Sequence, residues 1–217
     1  AYTKRLQKVT AVLCTTALLA GCAAGPSDNT EPAATAAPVK AITIEPNAAY
    51  QTMNGFGASA CWWSQEVGNW ENAKAIFSLL YDENSGIGLN IYRYNLGAGS
   101  KDDATITDPD RRAEAFIDKD GSYHWKRDAA AQNALALAKS MNKDLRVTLF
   151  SNRAPVFYTA NGKAYCDYLP DEEKYVTNLE PERYADFAKY SIACAKHFTE
   201  AGYRVTGLSP INEPEWS

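Results

Sequence analysis

Histidine is nearly absent from this chain. There are two, His124 and His197, far apart in sequence, which argues against a histidine-based metal site. The five cysteines show no Cys-x-x-Cys spacing, so no structural metal site is expected either. No glycine cluster has the spacing of a phosphate or dinucleotide loop; Gly55-Phe-Gly57 is the nearest approach and falls short of it. No internal repeat is visible. No apolar run reaches the roughly 20 residues of a membrane-spanning helix. Positive charge is also in short supply. The formal net charge of −4 argues against nucleic acid or an anionic membrane surface as a partner.

What is present suits a globular enzyme or binding domain. The 217 residues fit one domain or part of a larger one. Hydrophobic residues make up 46% and aromatics 12%, enough for a sizeable core. Most of the five tryptophans and thirteen tyrosines are expected to pack in that core or on the surface. Aromatic faces also stack on sugar rings, so a minority are candidate binding platforms.

The amino terminus reads as a targeting segment. Lys4, Arg5 and Lys8 form a basic region, and Val9 to Ala20 an apolar one of signal-peptide length. Leu19-Ala20-Gly21-Cys22 resembles a bacterial lipoprotein box. Residues 1–22 are therefore expected to be a lipoprotein signal peptide with Cys22 lipidated, placing the protein at a bacterial cell surface or outside the cell, anchored to the membrane. An ordinary signal peptide cleaved nearby is the alternative. The chain opens with Ala1 and not Met, which fits an incomplete reading frame. Residues 23–40, rich in Ala, Pro, Ser, Thr and Asn, read as a flexible tether. Cys61, Cys166 and Cys194 remain, and one disulfide among them is open, with no pair favoured.

The folded part is expected to span 41–217. Ala41 to Glu45 alternates as a strand. The spacing of Trp70, Ala73, Phe77, Leu80 and Tyr81 predicts a helix over 69–81. Strands follow at 88–94, 145–150 and 204–208. Helices are predicted at 126–141, a stretch without Gly or Pro, and at 181–202. A short helix is expected near 109–116. The long stretches 101–125 and 156–179 read as loops. Strands and helices alternate, which implies an α/β fold with a parallel sheet. Polar groups sit just past strand ends: Arg93 and Asn95, Asn152 and Arg153, Asn212 and Glu213. In barrels of parallel strands the active site lies at that face.

The last stretch carries the sharpest chemistry. A strand leads into Asn212-Glu213-Pro214, which holds a carboxylate on rigid backbone beside an amide that both donates and accepts hydrogen bonds. Four segments together resemble glycoside hydrolase family 30: Gln51 to Ser59, Gly86 to Ser100, Ser151 to Phe157 with Asn161-Gly162, and Leu208 to Ser217. The likeness is greatest to the branch containing endo-β-1,6-galactanases and covers the N-terminal half of such an enzyme. It implies a (β/α)8 TIM barrel, here strands 1–4, with part of a small β-sandwich at its side that would take the Ile42–Ile44 strand. It also implies retaining hydrolysis of a β-linked glycan without a cofactor. Glu213 matches the general acid/base, and Asn212 the residue that bonds the hydroxyl beside the reacting carbon. Arg93 matches the arginine that steadies the nucleophile. Trp63 and Trp216 resemble cleft-lining aromatics, and Asn95 and Asn152 are candidate polar contacts. The nucleophile's motif is not in this chain. Glu66, Asp82 and Asp167 do not match it, and the fragment alone is expected to be inactive. A xylanase, a β-1,6-glucanase or a glucosylceramidase of the same family is an alternative, as is a non-catalytic glycan-binding surface lipoprotein.

Overall fold

Local propensity and burial build a parallel α/β layer. The computed structural model describes Thr43 and residues 45–214. Its elements in order are β1 (Gly57–Ser59), α1 (Ser64–Val67), α2 (Ala73–Tyr81), β2 (Ile91–Leu96), α3 (Ala129–Met141) and β3 (Arg146–Ser151). There follow β4 (Asp167–Leu169), β5 (Lys174–Val176), α4 (Tyr184–Glu200) and β6 (Arg204–Ser209). Four strands form one sheet in the order β1-β2-β3-β6, every neighbouring pair parallel. β4 and β5 make a separate antiparallel hairpin.

Helix periodicity explains the outer layer. Ala131, Ala134, Leu135 and Ala138 put one face of α3 into the core, and Ala73, Phe77 and Tyr81 do the same for α2. Phe187, Tyr190, Cys194 and Phe198 bury a face of α4. These faces meet Tyr92, Tyr94 and Leu96 of β2 and Val147 and Leu149 of β3, all essentially inaccessible. A side chain such as Phe77, buried completely, stabilises the fold by about 1.5–3 kcal/mol. The alternate residues of β2 and β3 point to the other side of the sheet.

Several boundaries differ from the sequence-based expectations. Helix α2 starts at Ala73 and not Asn69, because Trp70 closes a turn onto the Val67 carbonyl and is 51% exposed. Helix α3 starts at Ala129 because Asp128 has φ 54, a left-handed conformation outside the helix. Strand β2 begins at Ile91, after a left-handed turn at Gly88 with φ 66. The helix expected near 109–116 is a single turn, Pro109–Arg111. The loop 156–179 contains the β4–β5 hairpin. The sheet's first strand is β1, within the Gln51 to Ser59 stretch where no strand is expected. A Cβ at Gly57 would collide with the Ile91 carbonyl, so glycine lets β1 approach β2.

The chain divides into two units, Ala1–Tyr50 and Gln51–Ser217. In the first, the described residues contribute a turn closed by the Ala48 N–H on the Glu45 carbonyl at 3.0 Å. The stretches expected to be a signal peptide and a tether, Cys22, most of the expected 41–45 strand and Trp216 lie outside the described residues.

Candidate active site

Register brings the polar strand ends together. Leu96 pairs with Ser151, and Phe150 with Ser209. The residues that follow therefore emerge at one edge of the sheet. The Asn212 N–H extends the ladder by donating to the Ser151 carbonyl at 2.8 Å.

Arg93 is the hub. Its Nη2 donates to Asn212 Oδ1 at 2.8 Å, and Nη1 lies 3.5 Å from Ser59 Oγ. The guanidinium carbon sits 3.4 Å from the centroid of the Phe150 ring, within cation–π range. Asn212 Nδ2 donates to Asn152 Oδ1 at 3.2 Å, and Asn152 Nδ2 to Asn95 Oδ1 at 3.0 Å. Asn212 and Asn152 each accept on one side and donate on the other, and Asn95 accepts at the end of the relay. Cys61 joins it, with its sulfur 3.6 Å from both Asn152 Nδ2 and Ser59 Oγ.

Glu213 follows with φ 45 and is exposed. Its main chain is held from below. Arg153 Nη1 donates to the carbonyls of Asn152, Asn212 and Glu213, the last two at 3.0 and 3.1 Å. Cys166 Sγ lies 2.7 Å from the Pro214 carbonyl. Cys61 and Cys194 are free thiols, which leaves no disulfide pair among the three cysteines.

The charge of the site is positive at its base. No ion pair among the described residues includes Arg93 or Arg153. Two guanidiniums without a carboxylate partner favour anionic groups nearby. No cluster of three or more His, Cys, Asp or Glu side chains among the described residues could hold a metal ion.

The remaining sequence-predicted residues fall as follows. Asn95 is buried, 4% exposed, and meets the site through Asn152. Trp63 is half-buried against Phe77 at 5.5 Å between ring centroids, and its indole N–H donates to the Ser59 carbonyl at 2.9 Å. Asp82 accepts the N–H groups of Asn84 and Ser85 in the turn after α2. Asp167 accepts from Asn161 Nδ2 at 2.7 Å at the base of the hairpin. A cavity of about 30 Å³ lies among Trp62, Asn95, Asn152 and Arg153, too small for a sugar ring.

Sequence reasoning gave Arg153 no role and passed over Ser59, Cys61 and Asp128. Asp128 is 5% exposed, accepts from the Tyr94 hydroxyl at 2.7 Å and has its own N–H bound to Glu114 Oε2. Burial pushes its carboxyl up to about 7. The linear sign of these residues is weak, because their partners lie far away in the chain.

Comparison with known proteins bears on this arrangement. Residues 39–217 match O-glycosyl hydrolase family 30. An endo-beta-1,6-galactanase of Hypocrea rufa is 27% identical over 202 residues, covering 81% of this chain and 40% of the relative. An exo-beta-1,6-galactobiohydrolase of Bifidobacterium longum subsp. longum is 28% identical over 238 residues, covering 82% of this chain and 15% of that protein. The crystal structure of a conserved exported protein from Bacteroides fragilis superposes with a TM-score of 0.68 at 27% identity, over 76% of this chain and 35% of the other. The chain thus spans well under half the length of these relatives.

Proposed function

We propose that this chain, which belongs to O-glycosyl hydrolase family 30, supplies the acid/base side of a retaining glycosidase that cleaves β-1,6-linked galactan. The observation that carries the reading is the Arg93–Asn212 hydrogen bond, between residues 119 apart in the chain, which sets Arg93 beside the turn that carries Glu213. The two galactan-degrading relatives support the substrate class. The parallel order β1-β2-β3-β6 supports the first half of a (β/α)8 barrel.

In this mechanism Glu213 protonates the glycosidic oxygen as a second carboxylate attacks the anomeric carbon from the opposite face. The bond to the leaving sugar breaks and a glycosyl-enzyme ester forms. Glu213 then takes a proton from water, which attacks the ester and restores the configuration. The second carboxylate has no counterpart assigned in this chain, and Arg93 would steady it electrostatically. Asn212 uses Oδ1 for Arg93 and one N–H for Asn152. Its other N–H is left to meet the hydroxyl beside the reacting carbon.

The test is Glu213→Gln in the full-length protein. On galactan, kcat/KM is expected to fall by about 10³-fold. On an aryl β-galactoside with an activated leaving group, which departs with little protonation, the fall is expected to stay within about 10-fold. Equal losses on both substrates would defeat the acid/base assignment.

A further inference from the structure

We infer that Arg153 is a positioning residue that aims the Glu213 carboxylate by gripping the main chain beneath it. The inference rests on the acid/base reading of Glu213. It begins from a geometric oddity. In an extended strand successive carbonyls point to opposite sides, yet the carbonyls of Asn212 and Glu213 both accept from the same nitrogen, Nη1 of Arg153, at 3.0 and 3.1 Å. For both to face one donor the chain must leave extended geometry between them. It does so at Glu213, whose φ of 45 is a left-handed conformation that non-glycine residues rarely hold without support.

Arg153 is built for this task alone. It is 7% exposed, and no carboxylate pairs with it among the described residues. Its Nε is buried without a hydrogen-bond partner. A buried charge of this kind is costly unless polar groups converge on it, and here those groups are the carbonyls of Asn152, Asn212 and Glu213. Among the described residues, Arg153 is the group that bonds the Glu213 peptide itself. The Asn212 N–H on Ser151 and the Pro214 carbonyl by Cys166 fix the chain on either side. Without the guanidinium, φ of Glu213 is free to relax toward negative values, and the Cα–Cβ bond swings with it. A displacement of about 1 Å at a reacting group costs on the order of 100-fold in rate.

The experiment compares Arg153→Gln and Arg153→Lys with Glu213→Gln in the full-length protein. Thermal melts are recorded, with kcat/KM on galactan and on an aryl β-galactoside with an activated leaving group. A positioning role predicts that Arg153→Gln melts cooperatively, loses about 30–100-fold on galactan and loses only a few-fold on the aryl substrate. Lysine, which keeps the charge and one multiple donor, is expected to recover part of the loss. Equal losses on both substrates, or no loss, would overturn the inference. So would loss of the cooperative melt in both variants, which would make Arg153 a folding residue. If Glu213→Gln itself shows no leaving-group dependence, the acid/base reading fails first and takes the inference with it. If Glu213→Gln shows that dependence and the Arg153 variants do not, only the inference fails.

Discussion

Arg93 donates from Nη2 to Asn212 Oδ1 across 2.8 Å, tying the middle of β2 to the turn after β6. The same guanidinium's carbon sits 3.4 Å from the centroid of the Phe150 ring. One side chain thereby binds an amide and covers an aromatic ring. Lysine keeps the charge but has neither the fork nor the plane. Arg93→Lys is therefore expected to lower kcat/KM on galactan by about 10²-fold, with the melting temperature shifted by only a few degrees. Steady-state kinetics beside a thermal melt checks this. A melting loss that accounts for all of the lost activity would reassign Arg93 to the scaffold.

The Tyr94–Asp128 pair predicts a pH-dependent stability. The Tyr94 hydroxyl donates to Asp128 Oδ2 at 2.7 Å, and burial holds the Asp128 carboxyl at about 7. In the unfolded chain it titrates near the ordinary value of about 3.9. The folded state thus binds more protons between about pH 4 and 7, so this group's contribution to stability is lost as pH rises through that window. Glu114 is shifted the other way: burial raises it, but the Asp128 N–H and Lys101 outweigh that and lower it. Its contribution is lost on acidification, below the Asp128 window. Asp128→Asn keeps an acceptor for Tyr94 and removes the charge. Relative to the parent it is expected to gain up to about 4 kcal/mol at pH 8 and little at pH 4. Urea unfolding at the two pH values measures the difference, and parallel profiles for parent and variant would refute it.

The strongly periodic elements were legible in the sequence. Helices α3 and α4 fall within a few residues of their expected spans, because Ala131, Ala134, Leu135 and Ala138, or Phe187, Tyr190, Cys194 and Phe198, mark one face unambiguously. Strand β1 was not legible: Gly57-Ala58-Ser59 has no apolar alternation, and only its pairing with β2 makes it a strand. The β4–β5 hairpin was hidden for a similar reason, since Asp171, Glu172 and Glu173 look like solvated loop. At the site, Asn152, Arg153, Asn212 and Glu213 could be picked out because polar residues just past apolar strands are conspicuous, whereas Arg93 and Asn95, expected past a strand end, lie inside β2 between buried Tyr92, Tyr94 and Leu96. Ser59 and Cys61 could not be picked out, because what singles them out is a bond to a distant segment. The role of Arg153 was not legible, because its bonds to the Asn212 and Glu213 carbonyls appear only when β3 and β6 are laid side by side.

The outer edge of β6 sets the last prediction. Leu208 on that strand is 40% exposed, and Tyr184 and Ile192 on α4 are 53% and 56% exposed. With Leu179, Phe187 and Ile211 they line an open apolar groove of about 610 Å³. A closed barrel would pair the β6 edge and cover this groove with its next strand and helix. Residues 41–217 expressed alone have neither. At about 25 cal/mol per Å², several hundred Å² of uncovered apolar surface amounts to on the order of 10 kcal/mol, comparable with the whole stability of an ordinary domain. An unpaired strand edge beside it is a template for association. The isolated segment is therefore expected to sediment as dimers or larger species and to melt broadly. Ile192→Glu, which sets a charge in the groove, is expected to shift the population toward monomer without restoring a sharp melt. A monomeric parent with a cooperative transition would show that the β6 edge and its groove are satisfied within these residues, and would defeat the reading of this face as one that the rest of a barrel covers.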